Sequence, residues 1–197
     1  KLAREATTVD RLSKGRMVLG VGLGEPPEEF TAYGEDAEPR VRGAKLDEAL
    51  EVIAKLWTGE PVTPRGTFFT VEDAQFLPTP ANGARVPVWT ACVVPHERPL
   101  ARAARWNGVM LARLGENGSI DPVSVDDVRR SVAIIDDHRD PDAGPYEVAI
   151  SHSTIPSDAE LDAYAEAGVT WITVSSWIEE LDHLVELAGT GSRSARA

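Results

Sequence analysis

The segment DRLSKGRMVLGVGLG, residues 10–24, contains the pattern that decides the fold class. Apolar residues recur at about every 3.6 positions over residues 1–12, and this period predicts a helix. Gly15 suits the left-handed residue that closes a helix, and residues 17–24 form a short apolar run that ends in glycines. The predicted order is therefore helix, tight turn and buried strand.

The same alternation continues along the chain. Apolar spacings of three and four predict an amphipathic helix over residues 42–57, and the prolines and glycines of residues 60–84 predict an irregular excursion with a short hairpin. Further strands are predicted over residues 86–91, 108–112, 146–151 and 171–175. Helices are predicted near 98–106 and 125–138, after a Ser157–Glu160 capping box, and after a Ser176–Glu179 box.

These strands are continuous apolar runs, which is typical of a parallel sheet covered by helices. The alternation leaves two architectures open, an open doubly wound sheet and part of a (β/α)8 barrel.

Composition narrows the function classes. Twenty Lys and Arg residues stand against 32 Asp and Glu residues, so the net charge of −12 disfavours binding to nucleic acid or to anionic lipid. No apolar run approaches the roughly 20 residues that span a bilayer. A single cysteine, Cys92, cannot form an internal disulfide. We expect a soluble, cytoplasmic protein.

The glycine-ended first strand is the first candidate site. Gly20, Gly22 and Gly24 do not have dinucleotide-fold spacing, because Gly24 is followed by Glu25 and two prolines instead of a helix start. The glycines either let layers of a barrel pack, or provide a strand end without Cβ atoms where a flat ligand lies against the backbone.

Other candidates have a structural alternative. The four histidines lack metal-ligand spacing, so no metal site is predicted. His152 follows a strand, where it either faces an active site or is a satisfied strand-end side chain, and Cys92 is predicted to be a packed, inert thiol. Arg42 has Leu46 where an acidic i+4 partner would stand, so it either binds a phosphate or is a surface arginine.

Several motifs together resemble one known family. DRLSKGR precedes the glycine-ended strand, LWTGEP (residues 56–61) follows the predicted helix, and ARWNGVML (104–111) and YAEAGVTWITV (164–174) match later strands. In this order they resemble the luciferase-like flavin-dependent monooxygenases, over nearly all of residues 1–188. Members are (β/α)8 barrels, so the resemblance implies an α/β fold, a partial TIM barrel that contains strands four to eight and an insertion after the fourth helix.

The resemblance also implies a domain over residues 1–188, a flexible tail over 189–197, and three absent strands. We therefore expect a fragment, an incomplete reading frame, or a homodimer partner or N-terminal segment that completes the barrel. The implied function is a flavin-dependent oxidoreductase or monooxygenase acting on a small organic substrate. FMN is the expected cofactor and the deazaflavin coenzyme F420 the alternative. The rival hypothesis is a truncated, non-catalytic binding or assembly module.

The resemblance implies cofactor contacts at the ends of three strands, whereas it assigns no catalytic residue. Leu23 stands where luciferases have an arginine on the flavin phosphate, but Arg42 matches a second phosphate-binding arginine. The cofactor-binding residues predicted in this way are Gly22, Leu23, Gly24, Glu25, Arg42, Ala91, Cys92, Val93 and Leu111.

Overall fold

The computed structural model of the protein describes residues 1–81, 83, 85–115, 120–152, 154–174, 185 and 189. The helices are α1 (Leu2–Leu12), α2 (Glu28–Thr31), α3 (Pro39–Trp57), α4 (Glu97–Ala103), α5 (Val125–His138) and α6 (Asp158–Glu166). The strands are β1 (Leu19–Val21), β2 (Val88–Val93), β3 (Gly108–Leu114), β4 (Ile120–Asp121), β5 (Glu147–His152) and β6 (Trp171–Val174). The predicted Ser176–Glu179 capping box lies outside the described residues.

Five of these strands form one parallel sheet in the order β1-β2-β3-β5-β6, and β4 pairs antiparallel with β3. Described helices follow β1, β2, β3 and β5, and each lies between two neighbouring parallel strands in the chain. The structure is thus half of a barrel, as the resemblance implied. None of the described helices combines the length and the apolar character that crossing a bilayer requires.

The helix ends follow local sequence signals. The capping box of α6 is confirmed, since the Ser157 hydroxyl accepts the N–H of Glu160 and the Glu160 carboxylate accepts the N–H of Ser157. A second box that the sequence reading did not include starts α5, with Ser124 and Asp127 in the same roles. Strand β1 is shorter than the predicted run because the chain leaves the sheet after Val21.

The described helices pack on one side of the sheet only. Side chains that alternate along the strands enter two cores, one between β2, β3, β5 and α4, α5, α6, and the other between α1, α3 and the ends of β1 and β2. The opposite side, which we call the inner face, carries the other alternate residues. Trp171 on the inner face has 55% of its surface exposed, and no described element covers it.

The segment between α3 and β2 contains the predicted hairpin. Two isolated antiparallel bridges pair Val62 with Ala74 and Arg65 with Thr70. The hairpin lies against α3 because the Glu48 carboxylate accepts the backbone N–H groups of residues 67–69 at its tip.

Candidate functional site

The carboxyl ends of β1, β2 and β3 form a surface of small residues on the inner face. A Cβ added to Gly22 would lie 3.3 Å from the Cβ of Ala91, so these two residues pack side by side, whereas a Cβ at Gly20 would meet nothing within 4 Å. In β3 the inner-face neighbour of Ala91 is Met110, and the small residue Ala112 lies one inner-face position further along, beside Val93. We call these four residues, Gly20, Gly22, Ala91 and Ala112, the small-residue floor.

Arg42 fixes the loop beside this floor. Its side chain is only 5% exposed, and its guanidinium donates to the carbonyl of Gly24 at 2.7 Å and to that of Leu23 at 3.3 Å. It also pairs with Glu25 at 3.3 Å and lies over the Phe30 ring, 4.5 Å from the centroid. Arg42 is therefore not a surface arginine, and its acidic partner, Glu25, comes from a loop instead of from its own helix.

These contacts bear on the phosphate prediction for Arg42. Its terminal nitrogens already face two carbonyls and a carboxylate, and its buried Nε has no hydrogen-bond partner. The contacts that the structure shows are those of a residue that positions the loop over residues 23–25. Gly24 is needed in this loop, because its φ is +79° and a Cβ there would lie 2.8 Å from the Phe30 ring.

The strand register separates the residues predicted at the next two strand ends. Cys92 and Leu111 pair with each other across β2 and β3, and their side chains, 1% and 0% exposed, lie in the helix-covered core. Their side chains therefore do not line the inner face, so a contact with the cofactor from either residue would have to come from its backbone, and the contact stays a prediction for both. Ala91 and Val93 alternate with Cys92 and lie on the inner face, as a cofactor contact requires.

Cys92 and His152 both lie on the helix side of the sheet, where packing contacts surround them. Burial raises the pKa of the Cys92 thiol to about 11, despite the nearby Thr90 hydroxyl and Arg102, so this thiol is protonated and unreactive. The His152 ring lies edge-on to Tyr164 of α6, with 6.5 Å between ring centroids, and alternates with inner-face residues. Within the described part of the chain, no three His, Cys, Asp or Glu residues form a group that could hold a metal ion.

The amino ends of the strands carry an inner-face cluster that sequence reasoning missed. The Trp171 indole donates to the Glu147 carboxylate at 3.1 Å, and the Trp89 ring lies 6.0 Å from the Trp171 ring. A Cβ at Gly108 would lie 2.6 Å from the Trp89 ring, so Gly108 makes room for the indole. Aromatic rings therefore fill the inner face at the amino ends of the strands, whereas smaller side chains predominate at the carboxyl ends.

A second feature without a sequence signal is a cleft of about 500 Å³ beside the small-residue floor, which we call the hairpin pocket. Its walls come from the loop after β1, from α2, from one side of α3, and from the tip of the hairpin. Leu23, Phe30, Leu46, Phe68 and Phe69 provide most of the apolar lining. The pocket is thus lined both by predicted site residues, such as Leu23 and Arg42, and by the hairpin. The sequence analysis assigned no functional role to that hairpin.

Comparisons with known proteins identify a matching family model and related sequences. A family model described as luciferase-like monooxygenase matches residues 1–196. An F420-dependent glucose-6-phosphate dehydrogenase of Microbacterium testaceum is 37% identical over 100 residues, which are 51% of this chain and 29% of that protein. The chain therefore spans less than a third of the length of that curated relative.

Two solved structures share the fold. An F420-dependent secondary alcohol dehydrogenase in complex with an F420–acetone adduct matches with a TM-score of 0.66 and 17% identity, over 88% of this chain and 68% of that one. The FMN complex of the oxygenating constituent of 3,6-diketocamphane monooxygenase from Pseudomonas putida matches with a TM-score of 0.59 and 17% identity, over 80% and 44% of the two chains.

Proposed function

The chain belongs to the luciferase-like monooxygenase family, and from this premise we propose that its protein is an oxidoreductase that binds the deazaflavin coenzyme F420 on the small-residue floor. The name of the relative that shares 37% identity supports F420 over FMN. Because the matched segment is only 29% of that relative, the activity of the whole protein is part of the proposal.

The small-residue floor is the observation that carries the proposal. A flat tricyclic ring needs a surface with few large projecting side chains, and Gly20, Gly22, Ala91 and Ala112 lower the face near the carboxyl ends of the strands, where Met110 and Val93 are their inner-face neighbours. Ligands of (β/α)8 barrels bind at this end of the strands. The residues present therefore fit a deazaflavin or flavin ring.

The coenzyme would supply hydride transfer when bound, and the chain's own residues would position it and limit its access to water. Arg42 would keep the loop over residues 23–25 in one conformation through its bonds to two carbonyls. Phe68 and Phe69 would stand beside the ring as an apolar wall, since they line the pocket next to the floor. None of these roles requires a residue on this chain to transfer a proton.

Fluorescence titration of the purified protein with F420 tests the proposal. Ala91→Leu places a branched side chain on the floor, and we expect it to weaken F420 binding by at least about tenfold. Ala133→Leu is the matched control, because Ala133 is exposed on α5, on the helix side of the sheet. Equal affinity in the wild type and in Ala91→Leu contradicts the proposal.

The same titration with FMN distinguishes the two cofactors. Tighter binding of FMN than of F420, with the same loss in Ala91→Leu, favours the FMN alternative. Binding of either cofactor without reduction of it by any alcohol, aldehyde or sugar phosphate favours the non-catalytic binding module.

A further inference from the structure

The size and the lining of the hairpin pocket indicate which class of small molecule it could bind. Its volume of about 500 Å³ lies within the usual range for small-molecule sites, which is roughly 300 to 1,000 Å³. The exposed area of its lining is mainly apolar, and its lining residues include Phe30, Leu46 of α3, and Phe68 and Phe69 of the hairpin. Such a lining favours a ligand whose buried part is apolar.

The charges around the pocket are paired. Of the lining side chains, Arg42 and Lys45 are the cations and Glu35 and Asp36 the anions. The Lys45 ammonium lies 2.8 Å from the Glu35 carboxylate, and the Arg42 guanidinium faces two carbonyls and Glu25. A phosphate dianion entering the pocket would have to displace one of these partners while staying close to carboxylates. An uncharged ligand has no such cost.

Glu48 holds the hairpin wall of the pocket in place, although it does not line the pocket itself. Its carboxylate accepts the N–H groups of Thr67 and Phe68 at 2.9 Å and that of Phe69 at 2.6 Å. These bonds fix both phenylalanines relative to α3, which also lines the pocket. Gly66 leaves the space that the carboxylate occupies, since an added Cβ there would collide with it.

We propose that the hairpin pocket is a subsite for the uncharged, apolar part of the substrate, and that Glu48 is the residue that positions its aromatic wall. Substrates would then be neutral organic molecules instead of phosphorylated sugars, in contrast to the sugar phosphate named for the relative from Microbacterium testaceum. As a statement about substrate, this inference rests on the proposed function, but the pocket's preference can be measured without turnover.

Chemical-shift titrations of the ¹⁵N-labelled protein, with cyclohexanone and with glucose 6-phosphate as probes, test the inference. We expect cyclohexanone to shift the amide signals of residues 66–69 and 45–49, and to bind at least about tenfold more tightly than glucose 6-phosphate. Ala49→Phe fills the pocket from α3 and should abolish the cyclohexanone shifts. Tighter binding of glucose 6-phosphate, or cyclohexanone shifts that persist unchanged in Ala49→Phe, overturns the inference.

Variants of Glu48 test its positioning role. Glu48→Ala removes the acceptor of three N–H groups and should weaken cyclohexanone binding about tenfold, while Glu48→Gln keeps one acceptor oxygen and should restore most of the affinity. Glu51→Ala is the matched control on the same helix, because Glu51 pairs with Arg105 outside the pocket. Thermal unfolding of each variant verifies that it is folded. Equal cyclohexanone affinity in folded Glu48→Ala and in Glu51→Ala refutes the role.

F420 affinity, measured on the same samples, separates this inference from the proposed function. If F420 binds and cyclohexanone does not, the subsite is refuted and the coenzyme proposal stands. If cyclohexanone binds in the pocket and F420 does not bind, the subsite stands and the coenzyme proposal fails.

Discussion

Replacing Asp127 with asparagine should remove a buried electrostatic connection between the sheet and α5. Asp127 is 3% exposed, and its carboxylate accepts from the Ser124 hydroxyl, from Arg113 at the end of β3 and from Arg130 one turn along α5, each at 2.7 Å. Burial alone would raise the pKa of this carboxyl, but the bonds from Ser124, Arg130 and Arg113 outweigh it and lower the pKa from 3.8 to about 2.

The sign and size of the effect follow from this shift. Since the folded-state pKa lies below the unfolded value, the ionised carboxylate stabilises the fold above pH 4, and this contribution is lost as the pH falls towards 2. This lowering of the pKa corresponds to about 2 kcal/mol of stability at pH 7, of which about half remains near pH 3. Arg113 is about half exposed and Arg130 about two thirds exposed, so both can return to water in the variant, and we expect a loss close to that value.

Urea unfolding of the wild type and of Asp127→Asn at several pH values between 7 and 3 measures the difference. Asp126→Asn is the control, because Asp126 is the exposed neighbour whose carboxylate pairs with exposed Arg129, and it should change the unfolding free energy by less than about 0.5 kcal/mol. A free-energy difference between Asp127→Asn and the wild type that stays constant from pH 7 to pH 3 would show that the carboxylate's charge is not what stabilises the fold.

Three smaller predictions concern the core and the sheet. Gly108→Ala should destabilise the fold by more than about 1 kcal/mol, because the added Cβ would lie 2.7 Å from a backbone carbonyl oxygen. Gly20→Ala should not have this effect, because its Cβ would meet nothing within 4 Å, and chemical unfolding of both variants measures the difference. The Cys92 thiol should resist alkylation at pH 8 in the native protein and react after unfolding, as mass spectrometry can show. Tyr164→Phe removes the bond to the Val123 carbonyl and should lower the unfolding free energy by about 1 kcal/mol, measured in urea.

Local signals in the sequence predicted most of the half-barrel. The periods of α1 and α5, the positive φ of Gly15 after α1, and the capping box of α6 are all set by residues within a few positions of one another. The boundaries of β1 were less predictable, because its apolar run continues into the loop that Arg42 holds. The expected cover of the inner face, from an N-terminal segment or a second copy, stays a prediction.

The candidate site was harder to predict because its contacts join distant parts of the chain. Arg42 binds a loop 17 to 19 residues before it, and Glu48 binds backbone groups 19 to 21 residues after it. The Glu48 contacts could not be predicted from the sequence, because backbone N–H groups are present at almost every residue and so do not mark the partners of the carboxylate. The placement of Cys92 and Leu111 was different, since the two-residue alternation of a strand already separates each from its neighbours on the inner face.

The distribution of side-chain size along the inner face explains why a ligand would bind at the carboxyl ends of the strands. At the amino ends, Trp89 and Trp171 fill the face, and the bond from Trp171 to Glu147 fixes one of the two rings. At the carboxyl ends, the small-residue floor lowers the face between the larger side chains of Met110 and Val93, and the hairpin pocket opens beside it. A flat ring can therefore approach the sheet only where the strands end, next to the loop that Arg42 holds. The decrease in side-chain size from the amino to the carboxyl ends of the strands is therefore the sequence feature that determines where the proposed coenzyme would bind.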